Sequence, residues 1–248
     1  MAIETPMTTQ SPKSAWRGRD FAVVMVAGLV AGGAIYALGL ALGWNDEALL
    51  VSSALGQYLG HLVGLVALSR RRGGAFSLGF SVAPSDVWYL GLGLVLQVAL
   101  PLLFLPLANL AGEGEAGQVV GDQIQQLGGA GTRIAMALVI AVMAPVTEEV
   151  MFRGILLKAL GGLGRRRAIV LSALVFAGFH LFGLSGDLLR GALLIIPTFF
   201  LMGAILAWVT WRRNRLGPAI FIHSGFNLLA LLILLMPAEL IDRLINTQ

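Results

Sequence analysis

Long apolar stretches alternate with short polar ones along the whole chain. Seven stretches have the length of a membrane crossing: Phe21 to Trp44, Ala48 to Ser69, Val87 to Leu110, Ile134 to Leu157, Ala168 to Gly183, Gly191 to Val209 and Pro218 to Met236. A helix needs about 20 apolar residues to traverse the hydrocarbon core, and its internal hydrogen bonds satisfy the backbone where water cannot. Each stretch is therefore predicted to be a transmembrane helix, the fifth short and the fourth ending in charge. The predicted fold class is all-α, a polytopic bundle of seven helices with an eighth element as the alternative. Two short segments are candidates for that eighth: Ala116 to Gly129, where Val119, Val120, Ile124 and Leu127 form one apolar stripe, and Ala238 to Ile245. Both are too short to span and are expected to lie at the membrane surface.

The polar positions between the runs set the orientation. Lys13, Arg17 and Arg19, then Arg70 to Arg72, then Lys158 with Arg165 to Arg167, then Arg212, Arg213 and Arg215 fall on alternate connections. The other connections carry Asp46 and Glu47, then Glu113, Glu115 and Asp122, then Asp187, with Arg133 and Arg190 as basic exceptions. The positive-inside rule makes the arginine-rich set cytoplasmic, with the amino terminus inside and the carboxyl terminus outside.

Composition agrees with this reading: 57% of the 248 residues are hydrophobic and 12% charged, too few charges to coat a soluble domain. The net charge of +4 is explained by topology and does not point to nucleic acid. Cysteine is absent, which excludes disulfides, thiolate metal sites and a cysteine nucleophile. The first apolar run is too long for a signal-peptide core and is read as a retained span. Residues 1–19 are expected to form a mobile cytoplasmic tail, 20–133 the amino-terminal membrane helices, 134–236 a four-helix catalytic core and 237–248 a carboxyl-terminal tail. Glycine pairs four apart, Gly28 with Gly32, Gly39 with Gly43 and Gly60 with Gly64, predict close helix approach.

Ionisable groups inside a membrane are costly and normally face a protein interior or a wet cavity. Here they are Glu148, Glu149 and Arg153 in "APVTEEVMFRG", with His61, His180 and His223. Glu149 and Arg153 are i and i+4, so they pair on one helix face, while Glu148 points about 100° away, toward a different environment. His180 stacks on Phe176 in "FAGFH", and Asn227 on His223 in "HSGFN". Counted from the nearest basic residue, Glu148, His180 and His223 lie roughly 15, 19 and 12 Å deep. Three helices thus deliver an acid and two imidazoles to a similar level, as a single polar pocket would require. His61 is read as a hydrogen-bonding residue outside that pocket.

The three motifs, in their order and approximate spacing, resemble those of the CAAX-protease and bacteriocin-processing family of intramembrane proteases, also called Abi, over about residues 134 to 236. The resemblance implies peptide-bond hydrolysis in a membrane-proximal or lipidated, CAAX-like peptide. Glu148 would act as general base, His180 would hold or polarise the water, His223 and Asn227 would supply oxyanion donors, and Glu149 with Arg153 would support the base from behind. No cofactor is expected. Zinc held by Glu148, His180 and His223 is the alternative, disfavoured because no His-Glu-x-x-His pattern occurs. Implied partners are a peptide or lipidated protein and membrane lipid, in a bacterial cytoplasmic membrane. The pocket's depth predicts a cavity opening inward or laterally near the inner leaflet. Two other classes fit part of the pattern: a non-enzymatic immunity or scaffold protein, and a small ion-coupled transporter, which would be expected to show repeated halves.

Overall fold

A computed structural model describes residues 16–72, 75–112 and 116–236. Seven helices are long and apolar enough to cross a membrane among these residues. They are α1 (Gly18–Ala41), α2 (Asp46–Arg71), α3 (Pro84–Asn109, its first turn 3₁₀), α5 (Ala130–Ala159), α6 (Arg165–Phe179, continued by a turn to Gly183), α7 (Leu188–Arg213) and α8 (Gly217–Leu234). The short helix α4 (Val119–Gln125) is too brief to span, as its sequence predicts. Its stripe is only partly buried: Ile124 and Leu127 are covered, whereas Val119 is exposed. One departure from an all-helical molecule is a two-stranded antiparallel ribbon pairing β1 (Ala116–Gln118) with β2 (Leu184–Gly186). It fastens the α3–α4 connection to the chain just beyond His180. The second surface segment, Ala238 to Ile245, lies outside the described residues, as do the tail residues 1–15 and 237–248.

Trp16 to Arg19, expected in the tail, are part of the folded structure. The Trp16 indole is buried and donates to the Ser77 hydroxyl at 3.1 Å. Asp20 then accepts from the Arg17 amide and pairs with Arg72 at 2.9 Å, which caps α1 and ties it to the end of α2. Apolar burial of Trp16 and this ion pair override the polar character of the residues before it.

The polar connections sort onto two ends of the bundle, as the charge alternation predicts. At the basic end Lys158 donates to the Ser77 carbonyl at 2.7 Å, Arg215 forks onto Asp86, and the Leu216 amide bonds Gly79 at 3.0 Å. At the opposite end Glu47 takes the Thr132 hydroxyl at 3.0 Å, and Arg190 reaches Asn109 at 2.8 Å.

Glycine closes the helix pairs. The His61 ring seats over Gly28, Gly32 faces Gln57, and Gly60 lies against Ala27 and Ala31, so α1 and α2 approach closely. Gly93 and Gly225 do the same for α3 and α8, against the backbone of Ile222 and Leu90. Gly43 is a correction: it sits in the α1–α2 turn at φ +72°, a left-handed value that favours glycine, and does not pack a helix. The His61 ring also fills the notch over Gly28.

Candidate active site

Helix α5 carries the glutamates, and it is not a regular α-helix. Its backbone widens to π turns over Val139–Met143 and again over Val150–Leu156, leaving Ala144–Glu149 as an α segment between them. The first widening has a readable cause. Ala144 donates to the Val139 carbonyl, and Pro145, one residue on, has no N–H to offer Ile140. The Ile140 carbonyl is instead taken by the Asn227 amide at 3.0 Å. Asn227 is thereby fixed by a carbonyl that a proline-free helix would have used internally.

The two glutamates part company as their spacing predicts. Glu149 is fully buried, and its Oε1 accepts from Arg153 Nη1 at 2.9 Å. Arg153 is equally buried; its Nη2 donates to the Gly203 carbonyl at 3.1 Å, and its guanidinium lies 4.4 Å from the Phe176 ring centre. Gly203 permits this because α7 comes so near Ala173 and Phe176 that a Cβ there would be crowded. The same Glu149 oxygen also receives His223 Nδ1–H at 2.9 Å, a contact the sequence does not announce. Glu149 therefore joins Arg153 on its own helix to His223 on α8.

With Nδ1 committed, His223 presents Nε2 to Glu148 Oε2 at 3.9 Å. Glu148 is about a quarter exposed to a cavity of about 510 Å³, which His180, His223 and Asn227 also line. His180 begins the turn after α6. Its Nδ1–H donates to the Phe176 carbonyl at 2.9 Å, which leaves Nε2 as the bare nitrogen, and its ring stacks on Phe199 with centres 3.7 Å apart. All four residues expected to carry the chemistry thus share one cavity, with Glu149 and Arg153 packed behind it.

Three cavity residues had no place in the sequence reading. Tyr58 on α2 donates its hydroxyl to Glu148 Oε1 at 3.4 Å, while Gln97 on α3 and Thr198 on α7 line the wall. A tyrosine or glutamine in an apolar run was the available signal, but neither residue has a charged neighbour at helical spacing.

Besides the site residues the cavity is lined by Gln118, Gly121, Leu231 and Leu234, at the ends of elements that carry the acidic connections. Toward the basic end Phe21, Phe152, Leu78, Leu216 and Ile220 form an apolar core beneath the Lys158 and Arg215 bonds, and Phe152 meets both Phe21 and Phe176 edge to face at about 5 Å. Depth counted from the nearest arginine gives the level of Glu148 but not the direction in which the cavity extends.

Among the described residues, no three His, Asp or Glu side chains lie close enough to share a metal ion. The donor chemistry still suits one in part, since both imidazoles have Nδ1 occupied, the usual arrangement of a ligating histidine, and His223 turns Nε2 toward Glu148.

Comparison with known proteins gives one family. Residues 130–229 match the model of the type II CAAX prenyl endopeptidase Rce1-like family, and that stretch contains all three motifs. No curated protein and no solved structure matches the chain significantly.

Proposed function

We propose that the protein, whose residues 130–229 match the type II CAAX prenyl endopeptidase Rce1-like family, is a membrane-embedded CAAX-type peptidase in which Glu148 activates the water that cleaves the substrate. The substrate in this reading is a membrane-proximal or lipidated peptide. One observation carries the proposal: two adjacent carboxylates have been given different jobs. Glu149 is consumed by Arg153 and His223, whereas Glu148 keeps an edge in the cavity, with a long Tyr58 bond and His223 Nε2 3.9 Å away.

A water beside Glu148 Oε2 and His223 Nε2, which are 3.9 Å apart, can touch both groups at hydrogen-bond length. Glu148 takes its proton, the hydroxide oxygen bonds to the scissile carbonyl carbon, and negative charge develops on the carbonyl oxygen. Asn227 has one N–H committed to Ile140 and a second free for that oxyanion. His223 can donate from Nε2 only as imidazolium, for which the Glu149 carboxylate at Nδ1 is the counter-ion. His180 Nε2 is an acceptor in its present tautomer, suited to orienting the water. The protonated Glu148 then returns its proton to the departing amine as the C–N bond breaks.

If zinc is bound, Glu148, His180 and His223 are the residues that would hold it, and the ion would supply Lewis-acid polarisation of the carbonyl or water. The deciding experiment compares hydrolysis of a farnesylated CAAX peptide and a peptide library by wild type, Glu148→Gln, His180→Ala and His223→Ala, with and without a chelator. Loss of turnover in Glu148→Gln, with chelator-insensitive wild type, is expected. Equal turnover by wild type and Glu148→Gln removes the assignment, and chelator-sensitive turnover replaces it with the metal form.

A further inference from the structure

A hollow of about 450 Å³ lies at the basic end of the bundle, between the start of α3 and the end of α7. Tyr89 and Leu92 line it from α3, and Trp208, Val209, Arg212 and Arg213 from α7. It shares no lining residue with the catalytic cavity. On α7, Trp208 and Arg212 are i and i+4, as are Val209 and Arg213, so two ladders each run from an apolar rung to a guanidinium. By helical rise the arginines stand about 6 Å nearer the end of the bundle than the apolar rungs. Val209 is buried and forms the floor, whereas Trp208 is 50% exposed and Leu92 40%, so the hollow faces outward on the surface that meets lipid.

The fold makes no ion pair with the arginines at its rim. Elsewhere at this end Arg72 is held by Asp20, Arg215 by Asp86, and Lys158 by the Ser77 carbonyl. Arg212 instead lies over the Trp208 ring, 5.6 Å from its centre, and neither it nor Arg213 has a carboxylate partner among the described residues. The charge of Asp86 reaches Arg213, but both its oxygens are already forked by Arg215.

The chemistry is graded with depth: guanidinium at the rim, amphipathic rings next, and Leu92 and Val209 beneath. A phospholipid has the same order of head, interface and chain, and a positive rim selects a negative head. We propose that this hollow binds one anionic phospholipid, its phosphate held by Arg212, Arg213 and the Tyr89 hydroxyl, with an acyl chain laid along Leu92, Trp208 and Val209. A second copy docked through the same face would bring the arginine pairs together, and a zwitterionic head would carry its own cation to them. The site touches neither Glu148 nor the substrate, so it stands apart from the peptidase reading.

The test titrates the purified protein, in a neutral detergent, with phosphatidylglycerol or phosphatidylcholine and counts bound lipid by native mass spectrometry. Phosphatidylglycerol should bind about tenfold more tightly and saturate at one copy. Arg212→Gln combined with Arg213→Gln should weaken it about 25-fold, a factor of about five for each charge. Arg165→Gln combined with Arg166→Gln removes the same charge from exposed positions at the same end and should leave affinity within about twofold. Leu92→Trp fills the slot while keeping both arginines and should also weaken binding about fivefold or more. Equal binding of the two lipids, equal losses in the two arginine pairs, or no effect of Leu92→Trp would mean diffuse surface charge and overturn the proposal. Displacement of the lipid by an equal concentration of glycerol phosphate would make this a free-phosphate site, and a dimer dissociated by Arg212→Gln with Arg213→Gln would make it a subunit contact; either result also overturns it. Monodisperse elution in detergent checks that each variant is folded.

Discussion

The α1–α2 hairpin and the α5–α8 segment are both made of membrane-length helices, yet they are joined by different means. Between α1 and α2, apart from the Asp20–Arg72 pair at their basic end, the contacts are small residues and one imidazole knob: Gly28 under His61, Gly32 against Gln57, Gly60 against Ala27 and Ala31. Between α5, α7 and α8 the contacts are charged: Arg153 binds Glu149 and the Gly203 carbonyl, and Glu149 binds His223. Burial separates them too. About 22% of the apolar window is covered in α1 and in α2, against 44% in α5 and 50% in α8, so only the second region is sheltered enough to hold ions away from lipid. Van der Waals fit suffices to dock helices in a membrane. A site needs side chains held at fixed angles, and here a buried ion network provides that.

The comparison is tested most severely at Glu148. Glu148→Gln should cost about 10²–10⁴-fold in turnover, the usual worth of a general base, with little change in melting temperature, because its side chain bears no structural load. A variant that melts early while its folded fraction stays active would move Glu148 into the same structural class as Glu149. Next comes Arg153→Met. It strands a buried carboxylate and should lose about 3–5 kcal/mol of stability, measured by unfolding in detergent, with partial recovery on adding Glu149→Gln. In the hairpin the largest effect should be smaller. Gly28→Ala drives a Cβ into the His61 ring and should cost about 1–3 kcal/mol, relieved by His61→Ala, with activity per folded molecule unchanged. Smallest is Tyr58→Phe, which removes the 3.4 Å bond to Glu148 and should raise the activation barrier by about 0.5–1.5 kcal/mol without altering stability. No kinetic effect there would confine the chemistry to the second region.

Helix number, the sorting of connections and the Glu149–Arg153 pair were legible because each depends on local quantities: run length, charge sign and i, i+4 spacing. The gathering of Glu148, His180 and His223 was legible as a level, since rise per residue measures depth. What depth cannot measure is azimuth between helices. The Glu149–His223 bond and the Tyr58–Glu148 contact depend on how α2, α5 and α8 are rotated about their own axes, which glycine notches and the Phe152–Phe176 packing decide. For the same reason the extent of the cavity toward Gln118 and Leu234 was not legible: its walls are contributed by residues far apart in the chain, such as Tyr58, Gln97 and Thr198. Pro145 was in plain sight, but its effect on Ile140 becomes visible only once Asn227 is seen across the gap.

The widened turn at Val139–Met143 gives α5 a sensitivity that its length conceals. Such a turn holds surplus chain relative to an α turn, so it absorbs one residue while the helix on either side stays in phase. Removing one residue there would rewind the segment to α, whereas the same deletion within Ala144–Glu149 would swing everything before it by about 100° relative to Arg153. A single-codon deletion is thus a change of pitch in the widened turn and a change of phase in the segment that bears the glutamates.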